Sequence, residues 1–291
     1  MLAEGRRVVG TADPILQHPV FRGVTSEAID PWRRSLVLQS CRPGEIVGRP
    51  RMQALLLLLE GRLCLCEWTP QGRRVILDVL EPGGTDGLHE RAGTAGHYSV
   101  ASRASRVVRV PFPILDRIAA QAPAVRRNVF SLTARALRRR EESLERLALP
   151  SALERIAGQL LALAEQCVDH RSRDCWRLRR LSHRELADML LVRRETITLA
   201  IATLRRRGLL RTTADEFLLD RRRLVALRDG APLPDPPNDT GDRTALESMP
   251  EPVAAARIRE QERGRSSVDA PAAGLRASHR VLLRSPTRGE R

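Results

Sequence analysis

The apolar positions of this chain change their period along its length. Between about Leu36 and Pro111 they fall in short runs bounded by turn sequences, "RPGE" (Arg42 to Glu45), "TPQG" (Thr69 to Gly72) and "EPGG" (Glu81 to Gly84). The runs between them are "ALLLLLE", "RLCLCEW", "RRVILDVL" and "SRVVRVP". Short runs at a spacing of roughly ten residues predict strands of a small β-barrel or roll. Ahead of them, Thr25-Ser26-Glu27 has the composition of a helix start. From about Phe112 to Leu149 the pattern becomes helical. Val125, Val129, Leu132, Ala136, Leu144 and Leu147 form one apolar stripe, interrupted by Arg139 and Arg140. The stripe is too long for a small roll to cover alone. It predicts a dimer seam through Val125, Val129, Leu132, Ala136 and Leu144, the alternative being packing against the chain's own domain.

Pro150 breaks this helix and Ser151 caps the next, "ALERIAGQLLALAEQC". A polar stretch, Val168 to Arg180, leads into "LSHRELADMLLVRRETITLAIATLRRRGLL" (181–210). Ser182 and Glu185 have the spacing of a capping box. Leu186, Ala187, Met189 and Leu190 share one side of a short helix, and Leu190 to Val192 form a break. A second helix from about Arg193 has Ile197, Ala200, Ile201 and Leu204 on one face. That leaves Arg193, Arg194, Glu195 and Thr198 near its N-terminal end on the other. Two strand candidates follow Gly208, "LLRTT" and "EFLLD", joined by Ala214-Asp215. Two short helices and a hairpin in this order predict a winged helix-turn-helix, whose second helix enters the major groove by its N-terminal residues. Arginine matches guanine O6 and N7, Glu accepts from cytosine N4, and a helix N-terminus favours phosphate. Residues 1–17 and 229–291 have no regular apolar period and are expected to be disordered.

Charge strengthens the nucleic-acid reading. The 291-residue chain has a formal net charge of +15, and all its basic residues are arginines. Ten Arg balance ten acids between Asp229 and Arg291, so the excess lies upstream. Residues 177–211 hold ten Arg against Glu185, Asp188 and Glu195, a net +7. Such a surface calls for an anionic partner, nucleic acid first. The five cysteines are odd in number and lack CxxC spacing. No apolar N-terminal stretch resembles a signal peptide, and the aliphatic run Ala54 to Leu59 is too short to cross a bilayer. A reducing, cytoplasmic location without membrane contact is expected. No GxGxxG, Walker A, HExxH or GxSxG motif points to an enzyme.

The segment 181–210 resembles the DNA-binding domain of the Crp/Fnr superfamily of bacterial transcription regulators. Ala187-Asp188 and Arg194-Glu195-Thr196-Ile197 carry the resemblance. "LLRTTADEFLLDRRRLVAL" looks like that family's wing and closing helix, and the upstream runs look like its cyclic-nucleotide-binding-like roll and dimerisation helix. The likeness covers about residues 18–228 and implies an α+β fold. A β-roll (double-stranded β-helix, jelly-roll-like) would occupy 18–112, a long dimerisation helix 113–149, and a winged helix-turn-helix 150–228. It implies a homodimer on palindromic double-stranded DNA, with RNA polymerase as a further partner. Arg194 and Glu195 would read bases, and Thr196 and Thr198 would touch phosphates or base edges. Arg193, His183 and Arg184 would share that surface. The competing expectation is a ligand-sensing or protein-interaction module whose helix-turn-helix no longer reads DNA.

The chain departs from the family in several places. Leu191 stands where the turn usually has Gly; in a left-handed conformation it costs about 1–2 kcal/mol. Leu199 stands where a second base-reading Arg is common. The stretch "GTDGLHERAGTAGHYSVASRA" lacks the family's Arg-Ser pair near Ala95-Gly96, unless Arg91 or Arg103 substitutes, so a cyclic nucleotide is not expected. The absence of Cys before Cys41 argues against an N-terminal iron–sulfur cluster. Cys64 and Cys66 share a strand face and read as small core residues, a redox role for Cys41, Cys64 or Cys66 being left open. His89 and His97 are metal or haem ligand types, but two histidines in a loop are more often neither. No cofactor is expected, and the effector is unassigned.

Overall fold

The computed structural model describes residues 13–89, 96–166 and 175–235, all inside one compact unit, Met1–Pro237. The expectations for residues 1–12 and 236–291, and for Arg91 and Ala95, fall outside the described residues. Eight strands make the roll: β1 (Val37–Cys41), β2 (Ile46–Gly48), β3 (Ala54–Glu60), β4 (Leu63–Trp68), β5 (Arg74–Leu80), β6 (Thr85–Asp86), β7 (Tyr98–Ala101) and β8 (Ser105–Pro111). They form two four-stranded antiparallel sheets, β1-β8-β3-β6 and β2-β7-β4-β5. The unalternating "ALLLLLE" run is explained by burial on both faces of β3. Leu56 and Leu58 point into the roll with Leu63, Leu65, Leu80 and Val107. Leu55 and Leu57 point outward, under helices.

Those helices are α1 (Ser26–Ile29), α2 (Phe112–Gln121) and α3 (Pro123–Leu147). The single long helix expected from Phe112 onward is therefore two. Ala122 is non-helical (φ −125°, ψ 87°) and Pro123 opens α3, because a proline pushes the residue before it out of the α region. Phe112, Leu115 and Ile118 of α2 lie in one cluster with Leu55, Leu57, Val108 and Val110. Val125 belongs to that cluster too, and Val129 and Leu132 pack against it. Val125, expected on the dimer seam, is thus fully buried in the chain's own core. Ala136 is half-buried and Leu144 exposed. Phe130, Leu137 and Leu144, seven residues apart, are the large exposed apolar side chains of α3. Arg139 turns to the roll, its Nη2 3.1 Å from Asp78 Oδ2.

The C-terminal part comprises α4 (Ala152–Glu165), β9 (Cys175–Arg179), α5 (His183–Leu190), α6 (Arg194–Arg206), β10 (Leu210–Thr212), β11 (Glu216–Asp220) and α7 (Arg221–Arg228). Ser151 and Glu154 form a full capping box at α4. The wing is three-stranded, β10-β11-β9. β9 lies in the stretch that composition alone marks as polar. Only Leu178 of its five residues is buried, while Arg177 pairs with Glu216 and Trp176 lies beside the Arg221 guanidinium.

The roll and this C-terminal part share one apolar cluster. Cys64, Cys66, Ile76 and Val79 on the outer face of β4 and β5 pack with Ile156, Leu160, Leu186 and Leu190. At the edge of the contact sits Arg62, 1% exposed. It follows Gly61, whose φ of +91° and 2.4 Å approach of a Cβ to Ala104 O admit no side chain. Arg62 Nε donates to Glu81 Oε1 at 2.6 Å, Nη2 to Arg179 O at 3.1 Å, and Nη1 to Arg180 O at 3.3 Å. Removing one partner of a buried, hydrogen-bonded ion pair costs about 3–5 kcal/mol, because the other charge stays buried. Arg62→Ala is expected to lower unfolding free energy by that amount in urea titration. A loss below about 1 kcal/mol would show that water replaces the guanidinium without penalty.

Candidate nucleic-acid interface

The arrangement of α5 and α6 follows from their caps. Ser182 Oγ accepts from Glu185 N–H and the Glu185 carboxylate accepts from Ser182 N–H, so α5 starts at a fixed residue. α5 buries Leu186, Ala187, Met189 and Leu190 and ends at Leu191. Leu191 is left-handed (φ 56°, ψ 30°), the conformation in which its side chain is strained. Its exposed side chain contributes little burial in return. The turn thereby holds a left-handed residue that is not glycine.

α6 then begins at Arg194, preceded by an extended Arg193 whose side chain does not cap it. Its first-turn N–H groups and the positive end of its dipole face outward. Arg193, Arg194, Glu195 and Thr198 are exposed and Thr196 is half-buried. Ile197, Ala200, Ile201 and Leu204 are buried, as their spacing predicts. His183 Nδ1 lies 2.9 Å from Thr198 Oγ1, which in turn donates to Arg194 O at 3.1 Å. With the Thr198 proton used in that way, His183 is the Nδ1–H donor, and the pair ties the start of α5 to the first turn of α6. Burial lowers the His183 pKa, assisted by the charges of Arg180 and Arg194, so the ring is neutral at pH 7. Thr198 therefore positions the helix, a role that its place in the sequence does not reveal.

A concave strip beside this helix is lined by Arg73, Arg155, Arg184, Arg193 and Arg194, with Asp188 and Thr196. Arg73 comes from the β4–β5 turn and Arg155 from α4, and no local pattern marks either. The one carboxylate there is neutralised: Asp188 Oδ2 accepts from Arg74 Nε at 2.8 Å. Arg73 Nη2 donates to Val192 O at 3.2 Å, so the turn at Leu191 is braced by the roll. The strip is cationic and suits phosphate.

Comparison with known proteins fits this geometry. Residues 154–227 match the Crp-like helix-turn-helix domain family. The transcriptional regulator LdrP of Thermus thermophilus is 32% identical over 169 residues, 58% of this chain and 84% of that protein. The chain belongs to the Crp/Fnr superfamily of transcription regulators. A CRP-like cAMP-activated global transcriptional regulator of Mycobacterium tuberculosis is 25% identical over 217 residues, 72% of this chain and 95% of that protein. The crystal structure of a CRP-family transcriptional regulator from Thermus thermophilus superposes with a TM-score of 0.54 at 28% identity, covering 66% of this chain and 97% of that one. The protein is a DNA-binding transcription regulator of this superfamily, whose members are regulators rather than enzymes. Among the described residues no helix is long and apolar enough to cross a membrane.

Cys41, Cys64 and Cys66 offer little as thiolates. Burial pushes the Cys64 thiol up to about 12, with Glu185 adding to the effect, and raises Cys41 and Cys66 to about 11. A thiol held so far above neutrality is a poor nucleophile and a poor redox sensor. The left-handed Leu191 supplies a direct test of the turn. Leu191→Gly relieves about 1–2 kcal/mol of strain and gives back roughly half of it as chain entropy. The expected outcome is a net gain of roughly 0.5–1 kcal/mol in unfolding free energy, and a destabilised variant would mean that the Leu side chain holds the turn.

Proposed function

We propose that this regulator acts as a homodimer that reads a two-fold symmetric duplex site. The observation that carries the proposal is the uncapped start of α6, which presents Arg193, Arg194 and Glu195 to solvent beside an arginine-lined strip. In this reading Arg194 and Glu195 meet base edges. Arg193, Arg184 and Thr196 meet phosphates, and His183 and Thr198 hold the helix in place. Leu199, 70% exposed, would lie against the groove one turn further on, where an apolar side chain favours a thymine methyl over a guanine edge. Two recognition helices about 34 Å apart would set the half-site spacing. The dimer would form along Phe130, Leu137 and Leu144, whose seven-residue spacing on the exposed side of α3 suits pairing with a second copy. RNA polymerase would be the further partner of the DNA-bound dimer, and the cytoplasm its location.

Selection from random duplexes at two salt concentrations tests the DNA side. A two-fold symmetric site should be enriched. Arg194→Ala should then cost about 1–3 kcal/mol on that site and relax the base it reads. Arg193→Ala should weaken all sequences alike and reduce the salt slope by about one. Unchanged binding by both variants would move the function to a protein-interaction role. Leu137→Asp, at a 59% exposed position, should leave the fold intact and shift the mass in light scattering from dimer to monomer. An unshifted mass would place the seam elsewhere.

A further inference from the structure

Asp86, His89 and His97 lie in the roll, apart from the DNA-facing surface. Asp86 ends β6, His89 follows three residues later, and His97 directly precedes β7. Asp86 and His97 are buried and His89 is half-buried. The Ser99 hydroxyl donates to Asp86 Oδ2. That leaves Oδ1 turned towards both imidazoles, 2.9 Å from His97 Nε2 and 3.7 Å from His89 Nδ1. The two rings are stacked, their centroids 4.4 Å apart and their planes 26° from parallel. One ligand atom from each of the three residues falls within 4.8 Å of the others. A tetrahedral ion with bonds of about 2.0–2.1 Å sets its ligand atoms roughly 3.3 Å apart. The two Asp86 separations bracket that figure, and the ligand nitrogens of His89 and His97, within 4.8 Å of each other, would draw together to close the site.

We propose that Asp86, His89 and His97 bind a divalent transition-metal ion of the zinc class. Two neutral imidazoles and one carboxylate are the donor set such ions prefer, whereas magnesium and calcium demand oxygen ligands. Ser99 is the outer partner that orients the carboxylate. Three protein ligands leave a fourth position for water or a small anion. The site also has a route to the helix-turn-helix. Ser99 and Tyr98 of β7 pair with Leu65 and Cys66 of β4, and Tyr98 meets Trp68 edge-on at 5.3 Å. Cys64, Cys66 and Trp68 lie against the cluster that contains Leu186 and Leu190 of α5. An ion that locks β6 to β7 therefore stiffens the surface on which α5 rests, a consequence that rests on the DNA-binding reading.

The test uses the tag-free full-length chain and needs no DNA for its first arm. Zinc is titrated against a chromophoric competitor, and cobalt is added in parallel for its visible spectrum. One ion per chain is expected, with a cobalt spectrum free of sulfur-to-metal charge transfer. Ser99→Ala should weaken binding by about 10- to 100-fold, and His89→Ala and Asp86→Asn by more. His89 is the safer substitution, being half-buried, and circular dichroism confirms that each variant folds. The proposal is overturned by an absence of stoichiometric binding, or by affinity that His89→Ala and Asp86→Asn leave unchanged. It is overturned equally by a cobalt–thiolate band that Cys64→Ser or Cys66→Ser abolishes. In the second arm zinc should change the affinity for the selected duplex in the wild type and not in His89→Ala. Equal affinities with and without zinc, given stoichiometric binding in the first arm, would overturn the coupling alone.

Discussion

The structure depends most on the buried guanidinium of Arg62. It is the point where the roll grips the C-terminal part through charge rather than through apolar area. Its partner Glu81 lies in the roll, and its two acceptor carbonyls, Arg179 and Arg180, end β9. Two residues later Ser182 caps α5. The position of the first helix of the helix-turn-helix is thus fixed from the roll by hydrogen bonds with directional demands, which apolar contact alone cannot impose. A buried ion pair contributes little net stability when compared with well-packed apolar residues, but breaking it by halves is costly. Its value here is geometric: one docking arrangement satisfies the guanidinium, and slid alternatives do not.

Around this point the contact is layered by strength. Cys64, Cys66, Ile76 and Val79 supply apolar area that tolerates small rotations. Arg74 with Asp188, and Arg73 with Val192 O, lie at the more accessible rim and add orientation rather than much energy. The rim contacts also act on chemistry. Arg74 removes the one negative charge from the arginine-lined strip, and Arg73 holds the turn that carries the left-handed Leu191. The cationic strip is thus assembled from three separated parts of the chain, the β4–β5 turn, α4 and the α5–α6 segment.

That assembly explains what was and was not legible in the sequence. Both capping boxes, the buried face of α6, the strand runs β3, β4, β5 and β8, and the cost stored at Leu191 were readable, because each is local and has its own period or spacing. The break at Ala122 was missed although Pro123 was in plain view, since the apolar stripe runs on past it. β9 was hidden because only Leu178 is fully buried, with Trp176 packed half-exposed against the same core and three of the five residues polar or small. β6 and β7 are too short to show a period. The apolar stripe of α3 divides in two because periodicity cannot tell which neighbour an apolar side chain meets. Val125 meets its own roll, while Phe130, Leu137 and Leu144 face out. Arg62 gave no signal at all, as an Arg after a turn glycine is normally solvated.

The same division between local and non-local bears on how a signal would reach DNA. The start of α6 is held by local means: the His183–Thr198 hydrogen bond and the buried face of the helix. A change in the roll that moves the β4–β5 turn also moves Arg73, and with it the brace on Val192 O and part of the arginine-lined strip. The helix-turn-helix is held to the roll by the Arg62 hydrogen bonds to the Arg179 and Arg180 carbonyls, by the Arg74–Asp188 ion pair and by the apolar patch, so the two parts are tied through charge at two separate points. A signal that reaches DNA through this contact would act on those two points and on the Arg73 brace, and in the proposed dimer a rotation there would alter the half-site spacing.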